Sequence, residues 1–411
     1  LSQLWRELER RERLLFAKLI TGSLRIGVSR GLVIRALAEA FDIERDVMAH
    51  RLMGKFSPTA DEFQRLVGPA NESDLLSRPY PFCLANPVSG LPQDLLQLDD
   101  TLAEWKWDGI RAQLIRRNGE TYIWSRGEER IEDRFPELTS AAIELPDGMV
   151  LDGELLGWKD QRPLPFLSLQ RRINRKSVGK KLLSEVPVLY QAFDLLEESC
   201  QDLRGLPLNE RRRRLESLLE RQEMESDQGA TIRISPRLNS DDWEALTALR
   251  QSARQVGAEG LMLKSLCSTY ATGRRVGHWW KWKVDPLTID AVLIYAQRGH
   301  GRRATLYTDY TFALWHDGNL VPFAKAYSGL TDAEMGDVDR FVRQNTIERF
   351  GPVRSVRPEL VMELAFENIQ RSDRHKSGVA VRFPRILRWR QDKPASQANT
   401  LAELHSLAEL V

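Results

Sequence analysis

The sequence has 411 residues, 42% of them hydrophobic, and a formal net charge of +2. That length holds two or three domains with cores of their own, and the near-neutral charge excludes nucleic-acid binding through the overall field, leaving only local basic faces. Cys83, Cys200 and Cys267 make neither a Cys-x-x-Cys zinc site nor a disulfide framework, and no apolar run approaches the ~20 residues that span a membrane. The chain begins at Leu1 rather than Met, so the native N-terminus is expected upstream.

Residues 1 to about 70 read as helices. Trp5, Leu8, Leu14, Leu15, Leu19 and Ile20 form an apolar stripe at helical spacing. Thr21-Gly22-Ser23 breaks it, and Ser29 is placed to cap a second helix through Ile34, Leu37 and Phe41. Arg25, Arg30 and Arg35 cluster about a turn whose glycines leave room for an anion. Two readings stand there: a solvated helical hairpin, which charge alone favours, and a phosphate contact. Residues 71 to 100 are rich in Pro, Asn, Asp and Ser and read as an extended linker.

The segment Glu104-Trp105-Lys106-Trp107-Asp108-Gly109-Ile110-Arg111 follows. Its alternation puts Glu104, Lys106 and Asp108 on one strand face. An exposed edge strand bearing an ion pair is one reading. A nucleophilic lysine is the other, since desolvation or nearby cations make an amine nucleophilic by lowering its pKa. Asn118-Gly119 predicts a hairpin between Ala112–Arg116 and Thr121–Trp124. Arg126 falls on the next turn. In Val150-Leu151-Asp152-Gly153-Glu154-Leu155, a strand sets Asp152 and Glu154 on one face, suited to Mg²⁺ or ribose hydroxyls, or simply to solvent.

The basic run Arg171 to Lys176 is undecided between a solvated helix face and a phosphate contact. Phe193-Asp194 lies in the strand from Val188 to Leu196. Arg211 to Arg214 open an amphipathic helix through Leu215, Leu218 and Leu219, expected at the periphery. Glu259 and Lys264 bracket another strand, a carboxylate for metal and an amine for phosphate. Further on, Trp279, Lys281 and Lys283 share a face. Two such cations repel unless an anion sits between them, and they are of the kind that would activate Lys106.

From about 287 the pattern is β-rich, with strands at Ile289–Tyr295, Thr305–Tyr307, Thr311–Trp315 and Val361–Phe366. Thr331 and Glu334 make a capping box for a helix expected over Thr331–Phe350. Short strands with one helix suit an OB-fold. The tail carries Arg382, Arg385, Arg388 and Arg390, then Asp392-Lys393-Pro394.

In this order, these strings resemble the covalent nucleotidyltransferases, and among them the bacterial ATP-dependent DNA ligases. Lys106-x-Asp108-Gly109 looks like that family's motif I, and the turn at Arg126 like motif Ia. The strand holding Glu154 is similar to motif III, and Phe193-Asp194 to its companion IIIa. Glu259 to Lys264 resembles motif IV, and Trp279 to Lys283, with basic residues before it, motif V. The Arg382-to-Lys393 tail resembles motif VI. Residues 18–28 look like the end of the family's helical DNA-binding domain. The resemblance therefore implies a multidomain α/β fold: a partial all-α DNA-binding domain (1–75), a linker (76–100), an α/β nucleotidyltransferase (adenylation) domain (101–284) and a C-terminal β-rich OB-fold with the motif VI tail (285–411).

It also implies ATP with Mg²⁺ or Mn²⁺ as cofactors, and nicked double-stranded DNA as partner. Lys106 would take AMP from ATP, pass it to the 5′-phosphate of the nick, and leave the 3′-hydroxyl to displace it. By resemblance Glu104 takes the adenine amino group, Phe193 stacks on the ring, and Arg111 and Glu154 hold the ribose. Arg126, Lys264, Lys281 and Lys283 complete the ATP contacts, and Glu154 with Glu259 binds the metal. Arg275, Arg382, Arg385, Arg390 and Lys393 orient the pyrophosphate, while Arg25 and Arg30 touch DNA. A cytoplasmic, nucleoid-associated monomer serving repair, recombination or replication is expected, with no membrane partner and any nuclease or helicase partner unidentified. The rival readings are an RNA ligase, a GTP-using mRNA capping enzyme and a non-catalytic OB-fold DNA-binding protein. An NAD⁺-dependent ligase is set aside because its zinc cysteines are missing.

Overall fold

The structure is a computed structural model, which describes residues 2–22, 28–52, 57, 59–69, 76–175, 177–225, 230–299 and 305–409. The chain divides into two compact units: Leu1–Thr247 with Leu261–Trp282, and Ala248–Gly260 with Lys283–Val411.

The first unit opens with five helices: α1 (Ser2–Glu7), α2 (Arg10–Ile20), α3 (Arg30–Phe41), α4 (Arg45–Arg51) and α5 (Ala60–Val67). The predicted cap is present, with the Ser29 hydroxyl accepting from the Leu32 N–H at 3.3 Å. Ile34, Ala38, Met48, Ala49 and Leu66 form a small core among α3, α4 and α5. The apolar stripe on α1 and α2 behaves otherwise. Trp5, Leu14, Leu15, Leu19 and Ile20 are exposed, so helical periodicity here marks a face that the described residues do not cover. Arg25 lies outside the described residues, as does the side chain of Arg30.

Two sheets carry the rest of this unit. In chain order the main strands are β1 (Thr101–Trp107), β2 (Ile110–Arg117), β3 (Glu120–Ser125), β4 (Met149–Lys159), β5 (Val188–Glu198), β6 (Ile232–Ile234), β7 (Ala258–Ser265) and β8 (Trp279–Lys283), of which Ala258–Gly260 and Lys283 are counted with the second unit. One seven-stranded sheet runs β6-β5-β4-β2-β3, with two short strands at its margin. A four-stranded sheet runs from Asn86–Pro87 through β8 and β7 to β1. The β2–β3 hairpin turns at Asn118 and Gly119, both at positive φ, as its two-residue loop requires.

Each face of the seven-stranded sheet has its own work. Ala112, Leu114, Leu151, Leu155, Tyr190, Ala192 and Ile232 point into one core, covered by the helix α6 (Leu208–Glu225) through Leu215, Leu218 and Leu219. The alternate residues, among them Arg111, Asp152, Glu154 and Gln191, leave the other face. The Pro-rich lead-in packs against the sheet rather than standing clear of it. Tyr80, Phe82 and Cys83 are buried. The Tyr80 backbone exchanges two hydrogen bonds with the Gln113 amide, at 2.7 and 2.8 Å, and its hydroxyl donates to Glu197 at 2.6 Å.

The second unit is a seven-stranded antiparallel sheet. Its strands are β9 (Leu287–Arg298), β10 (Tyr307–His316), β11 (Asn319–Ala326), β12 (Thr346–Phe350), β13 (Val353–Val356), β14 (Val361–Phe366) and β15 (Arg385–Trp389). The helix α7 (Asp332–Gln344) starts on the expected Thr331–Glu334 capping box. It ends at Gln344, and the remainder of the predicted helix is strand β12. Thr346 and Ile347 are β-branched, and β12 finds a partner in β13, so strand pairing overrides the helical run. Val338 and Val342 of α7 join Ile289, Phe312, Leu364 and Phe366 in the core.

Candidate active site

The chain leaves the four-stranded sheet after β1 and enters the seven-stranded sheet at β2, and Asp108-Gly109 is the corner. A Cβ on Gly109 would meet the Leu155 carbonyl oxygen at 2.4 Å and Leu156 Cδ2 at 2.7 Å. Only glycine lets the backbone pass this close to β4. The Gly109 N–H then donates to Glu154 Oε1 at 3.2 Å. The turn that follows Lys106 is thus tied to the carboxylate expected to serve the nucleotide. Burial lifts the Glu154 carboxyl from 4.5 to about 7, opposed by Lys106 and Arg111 and assisted by Asp108 and Asp152. Lys106 is therefore close enough to Glu154 to act on its charge.

Glu104 is almost fully buried. Arg212 donates to its Oε1 at 2.7 Å and Lys264 to its Oε2 at 2.5 Å. Arg212 also donates to Glu216 at 2.9 Å and to the Ser235 carbonyl. The Lys264 ammonium lies 4.1 Å from the centre of the Phe193 ring and 4.4 Å from that of Trp279, a cation–π arrangement. Phe193 owes its position to a β-bulge. The register passes from Gly153 opposite Ala192 to Asp152 opposite Asp194, so Phe193 has no partner on β4.

Arg111 is held by several partners within the protein. Its guanidinium pairs with Asp152 at 2.7 and 3.2 Å, donates to the Cys83 carbonyl at 2.6 Å, and reaches the Tyr270 hydroxyl at 3.3 Å. Phe82, Phe193 and Trp279 surround it, with ring centres 5.2 to 5.4 Å away. The resemblance implies that it holds the ribose; in the fold it clamps Asp152 and builds the aromatic wall.

The remaining expected residues are spread more widely. Arg126 is exposed on the turn after β3, and its N–H donates to the Arg111 carbonyl at 2.9 Å. Lys281 and Lys283 are partly buried on β8. Within the second unit, Lys283 lies 3.3 Å from both Glu259 and Glu367, and Arg382 lies 3.5 Å from Glu259. Glu259, expected on a metal, thus has cations beside it. Arg275 is exposed, and its carbonyl accepts from Asn86 at 2.9 Å. Arg385 pairs with Glu367 at 2.9 Å. Arg390 and Lys393 both reach one buried oxygen of Asp290, at 2.8 and 2.7 Å.

No group of three or more His, Cys, Asp or Glu side chains gathers around a common point among the described residues. A divalent ion here fits the pattern in which one or two carboxylates share it with substrate phosphates, and Glu154 is a hard oxygen donor of the right kind.

Sequence reasoning missed Arg211 and Arg212. Both are fully buried, and Arg211 pairs with Asp194 at 2.8 and 2.9 Å. The signal was present: they precede Leu215 and Leu219 by three, four, seven and eight residues and so lie on the apolar face of α6.

Comparison with known proteins agrees with this layout. The ATP dependent DNA ligase domain family matches residues 82–283, and the ATP dependent DNA ligase C terminal region matches residues 303–393. A probable DNA ligase of Koribacter versatilis is 36% identical, over 93% of this chain and 70% of its own length. A probable DNA ligase of Opitutus terrae is also 36% identical, over 95% of this chain but only 44% of its own length. Among solved structures, Pmar-Lig_PreS3 shares the fold at a TM-score of 0.59, with 16% identity over 80% of this chain and 75% of that one. A Lig E DNA ligase does so at 0.52, with 18% identity over 75% and 99%. On the family match and the relatives together, this chain belongs to the ATP-dependent DNA ligases, enzymes that use ATP and a divalent metal to join nicked DNA through a lysyl-AMP, and it carries their adenylation and C-terminal OB-fold domains.

Proposed function

We propose that Lys106 is the nucleophile that carries AMP in this chain, and that the protein seals nicks in duplex DNA. The observation that carries the reading is the Gly109 contact, which ties the turn after Lys106 to Glu154 at 3.2 Å. A lysine amine held there can attack the α-phosphate of ATP in line, with positioning and charge supplying the acceleration. The AMP then passes to the 5′-phosphate of the nick, and the 3′-hydroxyl displaces it.

Glu104 faces the adenine amino group, held in register by Arg212, while Phe193 supplies the ring contact. Glu154 serves the ribose and metal side, and a bound divalent ion would offset phosphate charge there. Lys264, Lys281 and Lys283 contribute positive charge to the phosphate path, as do Arg126 and Arg275 from exposed turns. Arg382 and Arg385 act on pyrophosphate. The N-terminal helices, with Arg25 and Arg30, grip the duplex beside the nick without reading sequence, so affinity should fall with salt. The protein works as a cytoplasmic, nucleoid-associated monomer. We assign residues 1–75 to DNA binding, 76–100 to the linker, 101–284 to adenylation and 285–411 to the OB-fold. Among the described residues no helix is long and apolar enough to cross a membrane.

The test is incubation with labelled ATP or GTP, denaturing electrophoresis, and mass spectrometry of the labelled peptide. One AMP on the Lys106 peptide, from ATP in preference to GTP, is the expected result. The Lys106→Arg protein should take no label yet still seal some pre-adenylated nicks, because arginine keeps its proton and the last step uses only the DNA hydroxyl. Label on another residue, or charging of Lys106→Arg, would overturn the assignment.

A further inference from the structure

The row of side chains across the seven-stranded sheet holds one residue with no assigned part. In register, Arg111 of β2 stands opposite Glu154 of β4, Glu154 opposite Gln191 of β5, and Gln191 opposite Arg233 of β6. Directly opposed residues leave the same face of a sheet, with Cβ atoms about 5 Å apart. Gln191 therefore stands beside Glu154, two residues before Phe193, on the face where the nucleotide is placed.

Gln191 is only 5% exposed, and its Oε1 has no hydrogen-bond partner among the described residues. A buried acceptor left without a donor is destabilising, because its lost hydration is not replaced. Its neighbours on the row do not relieve it. The Arg233 Nε donates to the Ala230 carbonyl at 3.0 Å. Arg111 spends its donors on Asp152, the Cys83 carbonyl and Tyr270. Glu154, whose carboxyl burial lifts to about 7, has no donor to offer above that pH, where it is ionised. The described residues thus leave Oε1 without a donor, and a ligand bound at this face is one source of it.

We propose that Gln191 is a specificity residue for the nucleotide, its side-chain carbonyl accepting a hydrogen bond from a ribose hydroxyl. The inference rests on the adenylation site proposed above. The chemistry selects the sugar over the other parts of ATP. Phosphate oxygens are acceptors and would face Oε1 without a proton. The adenine amino group is already placed against Glu104. A ribose hydroxyl donates, and it belongs beside Glu154, one strand away. The contact adds to the ribose partners that the resemblance implies, Arg111 and Glu154.

The test compares protein-AMP formation from ATP, 2′-deoxyATP and 3′-deoxyATP by the full chain and by Gln191→Leu and Gln191→Met. The wild type should prefer ATP over one deoxynucleotide by about tenfold or more, and which one identifies the hydroxyl. In both variants that preference should collapse, through a higher KM for ATP with kcat largely kept. Their melting temperatures should stay level or rise, because a buried acceptor without a donor has been removed. Unchanged selectivity in two folded variants that still take label from ATP would overturn the role of Gln191 alone, with a water serving Oε1 instead. Absence of any label on the wild type from ATP would overturn the underlying site reading and this inference with it.

Discussion

Arg212 and Glu104, 108 residues apart in the chain, meet as a buried ion pair at 2.7 Å. Lys264 closes the other side of the carboxylate. A charge taken out of water this far is tolerable only while its partners remain. Arg212→Met should therefore lower stability by about 3–5 kcal/mol and weaken the preference for ATP over GTP. Pairing it with Glu104→Gln should cost clearly less than the two single changes summed. Urea titrations of the four proteins read the coupling. Strict additivity would mean that the contact is incidental.

The second prediction concerns Arg111. A lysine there keeps the charge but not the fork that spans Asp152 while also reaching the Cys83 carbonyl. Arg111→Lys should lose roughly 2–4 kcal/mol and adenylate poorly as a consequence. A variant with wild-type melting behaviour and a raised KM for ATP would instead return Arg111 to direct contact with the nucleotide.

Asp290 allows a similar test in the second unit. Its one oxygen holds both Arg390 and Lys393. Asp290→Asn keeps the shape and removes the anion, so the unit should lose about 2 kcal/mol and protein-AMP formation should fall with it. Calorimetry follows the first effect and ATP labelling the second. If Arg390 and Lys393 act on pyrophosphate alone, melting will not change.

His50 sets a pH dependence. Its ring stacks on Tyr80, with centroids 5.3 Å apart, and lies 3.3 Å from the Arg78 carbonyl. Burial lowers its pKa from 6.5 to about 4, opposed by that carbonyl and reinforced by Arg117, Arg204 and Arg78. Between those values the unfolded chain binds more protons than the folded one. Stability therefore rises with pH across that window and is lost as pH falls from 6.5 towards 4. His50→Gln should flatten the slope by about 1–3 kcal/mol, measured by denaturant titration at several pH values across the window. A wild type whose stability falls with rising pH, relative to the variant, would reverse the sign and discard the argument.

Much of the site could be read from local pattern. A strand alternates by two, so Glu104 with Lys106 on β1, and Asp152 with Glu154 on β4, were visible as shared faces, while Asp108 falls past the strand at the corner. The Asn118-Gly119 hairpin, the Ser29 cap and the Thr331–Glu334 capping box depend on residues within a few positions of each other, and each is present. The order of the motifs was enough to name the family.

What tertiary structure alone decided is which charge each charged group meets. Pattern marked Arg211 to Arg214 as a peripheral helix, yet two of the four are buried against Asp194 and Glu104, carboxylates supplied by distant strands. It named no protein partner for Arg111, which the fold pairs with Asp152. It extended α7 through Phe350, where pairing with β13 makes a strand instead. It could not register Gln191 against Glu154, because strand register is a relation between segments. Periodicity reports which side of an element faces inward. The partner waiting there depends on contacts across a hundred residues or more, and for a buried charge the energy is set by that partner.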